Sequence, residues 1–160
     1  MLFVCTANVT RSPASAAIFK TLAAKTGEKW DVASAGVRAG TGMSAYPVMS
    51  FAIRDRLGIS LSDHKSQRVD AKLLKRYHWI FALERAHRDA MVKLEPTAAD
   101  RIFVLRDFGR TPPLDNPDMP DPTGKDAEEY GVLLDILSTE IPRLLRVIQD
   151  RIADLEMESE

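Results

Sequence analysis

The sequence predicts an α/β fold built on a parallel sheet. Four short apolar runs, Leu2 to Cys5, Trp30 to Ala35, His78 to Leu83 and Arg101 to Leu105, alternate with segments of helical periodicity. The third of them, HWIFAL, is apolar without alternation, as a strand covered on both faces is. No internal repeat and no linker interrupts the 160 residues, so a single domain over 1–160 with its own core is expected.

The elements run in order along the chain. Leu2 to Cys5 is the first strand. Ser12-Pro13 reads as an N-cap followed by proline at the first helical position. Ala14, Ile18 and Leu22 then recur at i, i+4, i+8, carrying a helix to about Lys25 before Gly27 stops it. Trp30 to Ala35 is the second strand, ended by Gly36. Val37 to Ser44 holds two glycines and no periodicity, which marks a loop. Pro47 to Leu57 is helical with Gly58 as its stop, and Ser62 to Arg68 is irregular. Asp70 caps a short helix, AKLLKRY, ahead of the third strand. Glu84 to Leu94 is helical and precedes the fourth strand. Asp107 to Lys125 carries five prolines and two glycines, and a loop of that length in a compact domain is usually functional or disordered. From Asp126 a long helix bears a stripe of Leu133, Leu137, Ile141, Leu144, Ile148, Ile152 and Leu155, with a kink expected at Pro142.

Composition narrows the functional classes. A net charge of −1 gives no basic footprint for nucleic acid and no polybasic membrane surface. No apolar run approaches the roughly 18 residues that span a bilayer. The opening MLFVC lacks the charged and apolar regions of a signal peptide. One cysteine forms neither an intramolecular disulfide nor a cysteine-rich zinc site, and three histidines without close pairing give no metal site. A lone thiol is kept reduced in the cytoplasm, which is the expected compartment.

That cysteine, Cys5, ends the first strand, on the side of the sheet where ligands of α/β proteins bind. The Asp107 to Lys125 loop emerges on the same side. A cysteine after an apolar run is ordinarily a small buried hydrophobe. The spacing Cys5-Thr6-Ala7-Asn8-Val9-Thr10-Arg11-Ser12 argues otherwise. Seven residues from Cys5 to Arg11 are enough to wrap a tetrahedral anion with inward N–H groups. The following helix adds its positive end. Arg11 offers a planar fork for two phosphate oxygens. Such a field favours thiolate at Cys5, a nucleophile for covalent transfer. Asn8 tolerates the left-handed backbone of a tight loop, and Ser12 is spaced to hydrogen-bond the sulfur. Leaving-group protonation and water activation need an acid and a base. Asp107, Asp115, Asp118 and Asp121 all lie in the long loop. Asp121 precedes proline, which restricts its backbone.

The loop resembles that of the low-molecular-weight protein tyrosine phosphatases, C-x-G-N-x-C-R-S, matching it at Cys5, Asn8, Arg11 and Ser12. The resemblance continues through Ser34-Ala35-Gly36, His64 in SDHKSQ, WIFALERAH and Asp121-Pro122 in MPDP, and so covers nearly the whole chain. It implies a three-layer, four-stranded parallel sheet of the flavodoxin-like kind with helices on both faces. It implies a metal-free, cofactor-free, two-step hydrolysis of phosphotyrosine on protein through a cysteinyl-phosphate. It also implies phosphate, sulfate or vanadate as active-site anions. By resemblance Asp121 is both acid and base, His64 hydrogen-bonds near Ser12, and Ser34 acts through Asn8. His78 and His87 read as ordinary positions.

Three departures bear on the expectation. Ala7 stands where the loop glycine is usual, harmless at negative φ and strained at positive φ. Thr10 replaces a second loop cysteine, removing disulfide protection of Cys5. Thr123-Gly124 follows Pro122 where many tyrosine-directed members have aromatics, and the loop after the second strand has no aromatic residue until Tyr46. Related protein-arginine phosphatases carry threonine at the position of Val9, which tilts this chain towards tyrosine. A small-molecule acid phosphatase is a further alternative. An arsenate reductase of this fold needs additional cysteines. A non-catalytic phosphate-binding module needs neither Cys5 nor Asp121.

Overall fold

A computed structural model describes residues 1–159. The elements are β1 (Leu2–Cys5), α1 (Arg11–Ala23), β2 (Ala33–Gly36), α2 (Pro47–Leu57), α3 (Ala71–Arg76), β3 (Ile80–Ala82), α4 (Arg85–Leu94), β4 (Ile102–Val104) and α5 (Ala127–Glu158). The strands form one parallel sheet in the order β2-β1-β3-β4, with Leu2 opposite both Ala33 and Ile80, and Ile80 opposite Ile102. Helices cover both faces, so the chain has the three-layer α/β architecture that its strand and helix alternation predicts.

Side-chain alternation along the apolar strands explains why both faces are covered. Phe3 and Cys5 of β1, with Phe81 of β3, enter a core shared with Phe19 of α1, Ile53 of α2 and Leu137 of α5. Leu2, Val4, Ile80, Ala82 and Ile102 point the other way, towards Leu74 of α3 and Met91 of α4. Phe3, Phe19 and Phe81 are fully buried, each contributing about 1.5–3 kcal/mol of transfer free energy.

Local signals place several boundaries. Asp70 Oδ1 accepts from Leu73 N at 2.7 Å and caps α3, while Asp126 caps α5 through Glu129 N. α2 ends at Gly58, whose φ of +66° is the left-handed stop of a helix.

Other boundaries differ from expectation. α1 begins at Arg11 with Thr10 at the N-cap, so Ser12 is not the cap and Pro13 is the third helical residue. The Ser12 hydroxyl is drawn into tertiary contacts instead. β2 starts at Ala33, not Trp30; Trp30 leaves the sheet to pack edge-on against Phe19 at 5.6 Å. β3 and β4 are shorter than their apolar runs, because burial extends beyond strand pairing. Pro96–Arg101 forms a 3-10 helix that no periodicity announces. α5 is continuous through Pro142, and its buried stripe ends near Ile148, with Leu155 exposed. Among the described residues no helix is long and apolar enough to cross a membrane.

Strand order positions the site. The chain leaves β1 for β2 on one side, then returns to β3 on the other, which opens a crevice beyond the carboxyl end of β1. The segment after β4 folds back over that crevice, with Met119 N donating to Leu83 O at 2.9 Å.

Candidate active site

Residues 5–11 form a closed loop between β1 and α1, and its shape is set by Asn8. Asn8 has φ +56°, the one positive φ of a non-glycine residue among the described residues, so Ala7 in the glycine position carries no such strain. Asn8 is completely buried and its side chain is fully engaged. Nδ2 donates to Ser12 Oγ at 2.8 Å and to Ser34 Oγ at 2.9 Å, and Oδ1 accepts from Gln67 N at 3.0 Å. His64 Nε2 donates to the Asn8 carbonyl at 2.6 Å. His64 therefore supports the loop at Asn8 rather than near Ser12, the expected contact. Burial pushes its pKa below the ordinary value, outweighing that hydrogen bond.

Cys5 and Ser12 meet across the loop, with Sγ and Oγ 2.9 Å apart. Ser12 Oγ also lies 3.2 Å from the Ala35 carbonyl, to which it donates. Its single proton serves Ala35 when the thiol donates to Oγ, and is free to turn to sulfur when the thiol proton has left.

Arg11 is buried yet surrounded by oxygen. Nη1 donates to Met119 O at 3.0 Å and pairs with Glu84 Oε2 at 3.0 Å, while Nη2 lies 3.5 Å from both Thr6 Oγ1 and Asp121 Oδ2. One edge of the guanidinium is thus fixed and the other faces the loop. Asp121 arrives on the long loop after β4, and Thr123 donates to its Oδ1 from N at 3.1 Å and Oγ1 at 2.7 Å. Partial burial opposes ionisation of Asp121, but the Thr123 hydrogen bonds and the Arg11 charge prevail and hold its pKa below the ordinary carboxylate value. Cys5, residues 6–11, Asp121 and Thr123 enclose a cavity of about 140 Å³. Asp118 points elsewhere, to Arg85, and Asp107 accepts from Leu114 N. Thr10 Oγ1 is buried with no hydrogen-bond partner among the described residues.

Several residues at the site lie outside those singled out from the sequence. Glu84 and His87 lie just past β3 and form a capping box, in which His87 Nδ1 accepts from Glu84 N at 3.1 Å. Far from ordinary, His87 is buried, and its Nε2 lies 2.8 Å from Thr6 Oγ1 and 3.2 Å from Glu84 Oε2. Burial, then the Arg11 charge, bring its pKa down to about 4. The usable signal is an acid at the carboxyl end of a central strand with histidine three residues on, the capping-box spacing. Gln67 donates to Ser34 O from Nε2 at 2.9 Å and to Asn8 from its backbone. Tyr46 N donates to Val9 O at 2.8 Å, and the Tyr46 ring stacks on buried Tyr130 at 6.0 Å.

The chain has counterparts among known proteins. The family described as low molecular weight phosphotyrosine protein phosphatase matches residues 1–154. A protein-arginine-phosphatase of Geobacillus stearothermophilus is 33% identical over 154 residues, covering 93% of this chain and 95% of the relative. The crystal structure of a low molecular weight protein tyrosine phosphatase from T. tengcongensis superposes with a TM-score of 0.83 at 33% identity, covering 91% of this chain and 96% of that one. A Cys-to-Ser mutant of the arginine phosphatase YwlE with a phosphorylated active-site serine superposes with a TM-score of 0.82 at 27% identity, covering 95% and 94%. With a match over nearly its full length, this chain belongs to the low molecular weight phosphotyrosine protein phosphatase family, a family of hydrolases.

Proposed function

We propose that the chain removes phosphate from phosphotyrosine on proteins through a cysteinyl-phosphate at Cys5. The observation that carries this is the convergence of Thr6 and Asp121 on the open edge of the Arg11 guanidinium, all three lining one cavity with Cys5. The loop N–H groups of Thr6 to Ser12 and Arg11 Nη2 receive the phosphoryl oxygens, the dipole of α1 adding to their field. Cys5 sulfur attacks phosphorus in line as the tyrosyl oxygen leaves and takes a proton from Asp121. Water then attacks phosphorus, Asp121 takes its proton, and the S–P bond breaks to release phosphate and the thiolate. The Ser12 proton turns from Ala35 towards that thiolate.

The lowered pKa of Asp121 suits the base of the second step. For the first step a bound phosphate dianion offsets the Arg11 charge and lets the carboxyl hold a proton. Asn8, Ser34, His64 and Gln67 keep the loop in shape for both steps. A reaction that rests on one reduced thiol belongs in the cytoplasm, and it asks for neither metal nor cofactor.

A second reading, hydrolysis of phosphoarginine on protein, draws on the arginine-phosphatase relative. Val9 favours tyrosine, since an apolar β-branched side chain beside the loop suits a ring better than a guanidinium. Turnover of phosphotyrosine, phosphoserine and phosphoarginine peptides, measured side by side, decides between them; the highest kcat/KM is expected on phosphotyrosine. Cys5→Ser should abolish hydrolysis of p-nitrophenyl phosphate while vanadate still binds, and substantial turnover by it would remove the mechanism. Asp121→Ala should slow phenyl phosphate far more than p-nitrophenyl phosphate, whose leaving group needs no proton.

A further inference from the structure

We infer that the Thr6 hydroxyl, oriented by His87, is a side-chain hydrogen-bond donor to the phosphoryl group, an inference that rests on the phosphatase reading of the Cys5 loop. The imidazole sets the direction of each bond. His87 Nδ1 accepts the backbone N–H of Glu84 at 3.1 Å, so Nδ1 carries no proton and the ring proton sits on Nε2. A neutral ring agrees with a pKa near 4. Nε2–H therefore donates, and its nearest acceptor is Thr6 Oγ1 at 2.8 Å, closer than Glu84 Oε2 at 3.2 Å.

The direction of that bond fixes the rest. Thr6 Oγ1 accepts from His87 and also lies within 3.5 Å of the Arg11 Nη2 donor. With donors on its lone pairs, its own proton turns away from both. The space left to it is the cavity lined by Cys5, the loop, Asp121 and Thr123. A phosphoryl oxygen held by Arg11 Nη2 sits beside Thr6 Oγ1, because the two protein atoms are already neighbours. Thr6 then adds one neutral donor to the loop amides and Arg11, aimed where negative charge builds on the equatorial oxygens. No proton is transferred. Thr6 touches substrate and is the catalytic residue of the pair, whereas His87 is a positioning residue that acts only through Thr6. Glu84 holds both ends of the assembly, pairing with Arg11 and donating its N–H to His87.

The test is steady-state kinetics on p-nitrophenyl phosphate with vanadate inhibition, for the wild type, Thr6→Val, Thr6→Ser, His87→Ala and the Thr6→Val/His87→Ala double variant. Thr6→Val keeps the shape and loses the hydroxyl. A lost donor to a charged group should lower kcat roughly ten- to hundredfold with KM changed less than about threefold. Vanadate affinity should fall in parallel with kcat/KM. Thr6→Ser, which restores the hydroxyl, should recover most of kcat. His87→Ala should cost several-fold alone and almost nothing further in the Thr6→Val background. Wild-type kcat in Thr6→Val, equal losses in Thr6→Val and Thr6→Ser, or fully additive losses in the double variant each overturn the inference. Thr6→Val and Thr6→Ser decide the matter even where His87→Ala fails to fold. An inactive wild type would instead remove the phosphatase reading itself.

Discussion

Gly36 lies directly beneath the Thr6 carbonyl: a Cβ on Gly36 would stand 2.5 Å from Thr6 O and 2.9 Å from Asn8 N. Its φ is unremarkable, so close approach, not backbone freedom, demands glycine here. Gly36 is itself held, its N–H donating to Gln67 O and its carbonyl accepting from Val69 N, each at 3.0 Å. Both of these are backbone atoms, and the third clash, at 2.9 Å, is with Ala39 Cβ, so none can swing aside. Gly36→Ala is therefore expected to lift the start of the loop. Overpacking of this kind costs about 1–3 kcal/mol of stability. Activity should fall more steeply, by at least roughly tenfold, because a displacement of about 1 Å at a positioned nucleophile is that costly. Thermal melting beside kcat and vanadate affinity checks both, and a variant with unchanged kcat would show that the loop does not depend on this packing.

Thr123 holds the Asp121 carboxyl with two hydrogen bonds to Oδ1. Partial burial raises the pKa of Asp121, and the two Thr123 hydrogen bonds to Oδ1 are the largest of the opposing effects. Thr123→Val removes the 2.7 Å hydroxyl bond and leaves the backbone one. The carboxyl pKa should rise towards its ordinary value, so Asp121 keeps its proton to higher pH. In the pH profile of kcat/KM for phenyl phosphate, the limb on which activity falls as Asp121 loses its proton should move to higher pH. A substrate with an acidic leaving group should show little change. The same limb position in both proteins would mean that Thr123 does not tune the acid.

Contiguous signals are readable in the sequence and convergent ones are not. The loop from Cys5 to Ser12 is contiguous, and so are the caps Asp70 and Asp126 and the stop at Gly58, because each depends on neighbours within a turn of chain. Glu84 and His87 reach the loop only because β3 pairs with β1, and Gln67 because an irregular segment crosses Asn8. The capping-box spacing of Glu84 and His87 at a strand end is the one local hint of that meeting, and nothing beside Gln67 announces it. The start of α1 departs from expectation for a related reason. A serine before proline looks like a cap, yet the Ser12 hydroxyl has Cys5, Asn8 and Ala35 as partners. His64 serves the expected loop through a different atom, the Asn8 carbonyl, since reach is a tertiary quantity.

A buried carboxylate fastens the chain leaving β4 to α5. Glu140 accepts from Arg110 at 2.9 and 3.0 Å and from Arg143 Nε at 2.9 Å, and Arg143 also donates to Leu105 O and Phe108 O. Burial works against the charge on Glu140, but the arginine hydrogen bonds outweigh it and hold its pKa below the ordinary glutamate value of about 4.5. A folded pKa below the unfolded one means stability that is present above about pH 4.5 and lost as pH falls through the folded value. Glu140→Gln exchanges charge-assisted bonds for neutral ones and should cost about 2 kcal/mol at neutral pH. Below about pH 4.5 the difference should shrink, because the carboxyl of the unfolded wild-type chain then takes up a proton before the folded one does. Urea unfolding at neutral and acidic pH measures this, and a pH-independent difference would exclude the linkage.

Cys5 is the sole cysteine of the chain, and the neighbouring loop position that could hold a resolving thiol is Thr10. Peroxide takes a thiolate to sulfenic acid, which is rescued when a second thiol condenses with it. Here no intramolecular partner exists, so further oxidant carries the sulfur to sulfinic and sulfonic acids that dithiothreitol does not reduce. Prolonged peroxide should therefore inactivate the enzyme permanently, with mass spectrometry showing two or three added oxygens on the peptide that contains Cys5. Bound phosphate should slow the loss by filling the loop above the sulfur. Brief exposure followed at once by dithiothreitol should restore activity, since the sulfenic acid is still reducible at that stage. Full recovery after prolonged exposure would show that the buried loop itself stops oxidation at the sulfenic acid, and that Thr10 in place of cysteine leaves the nucleophile protected by enclosure alone.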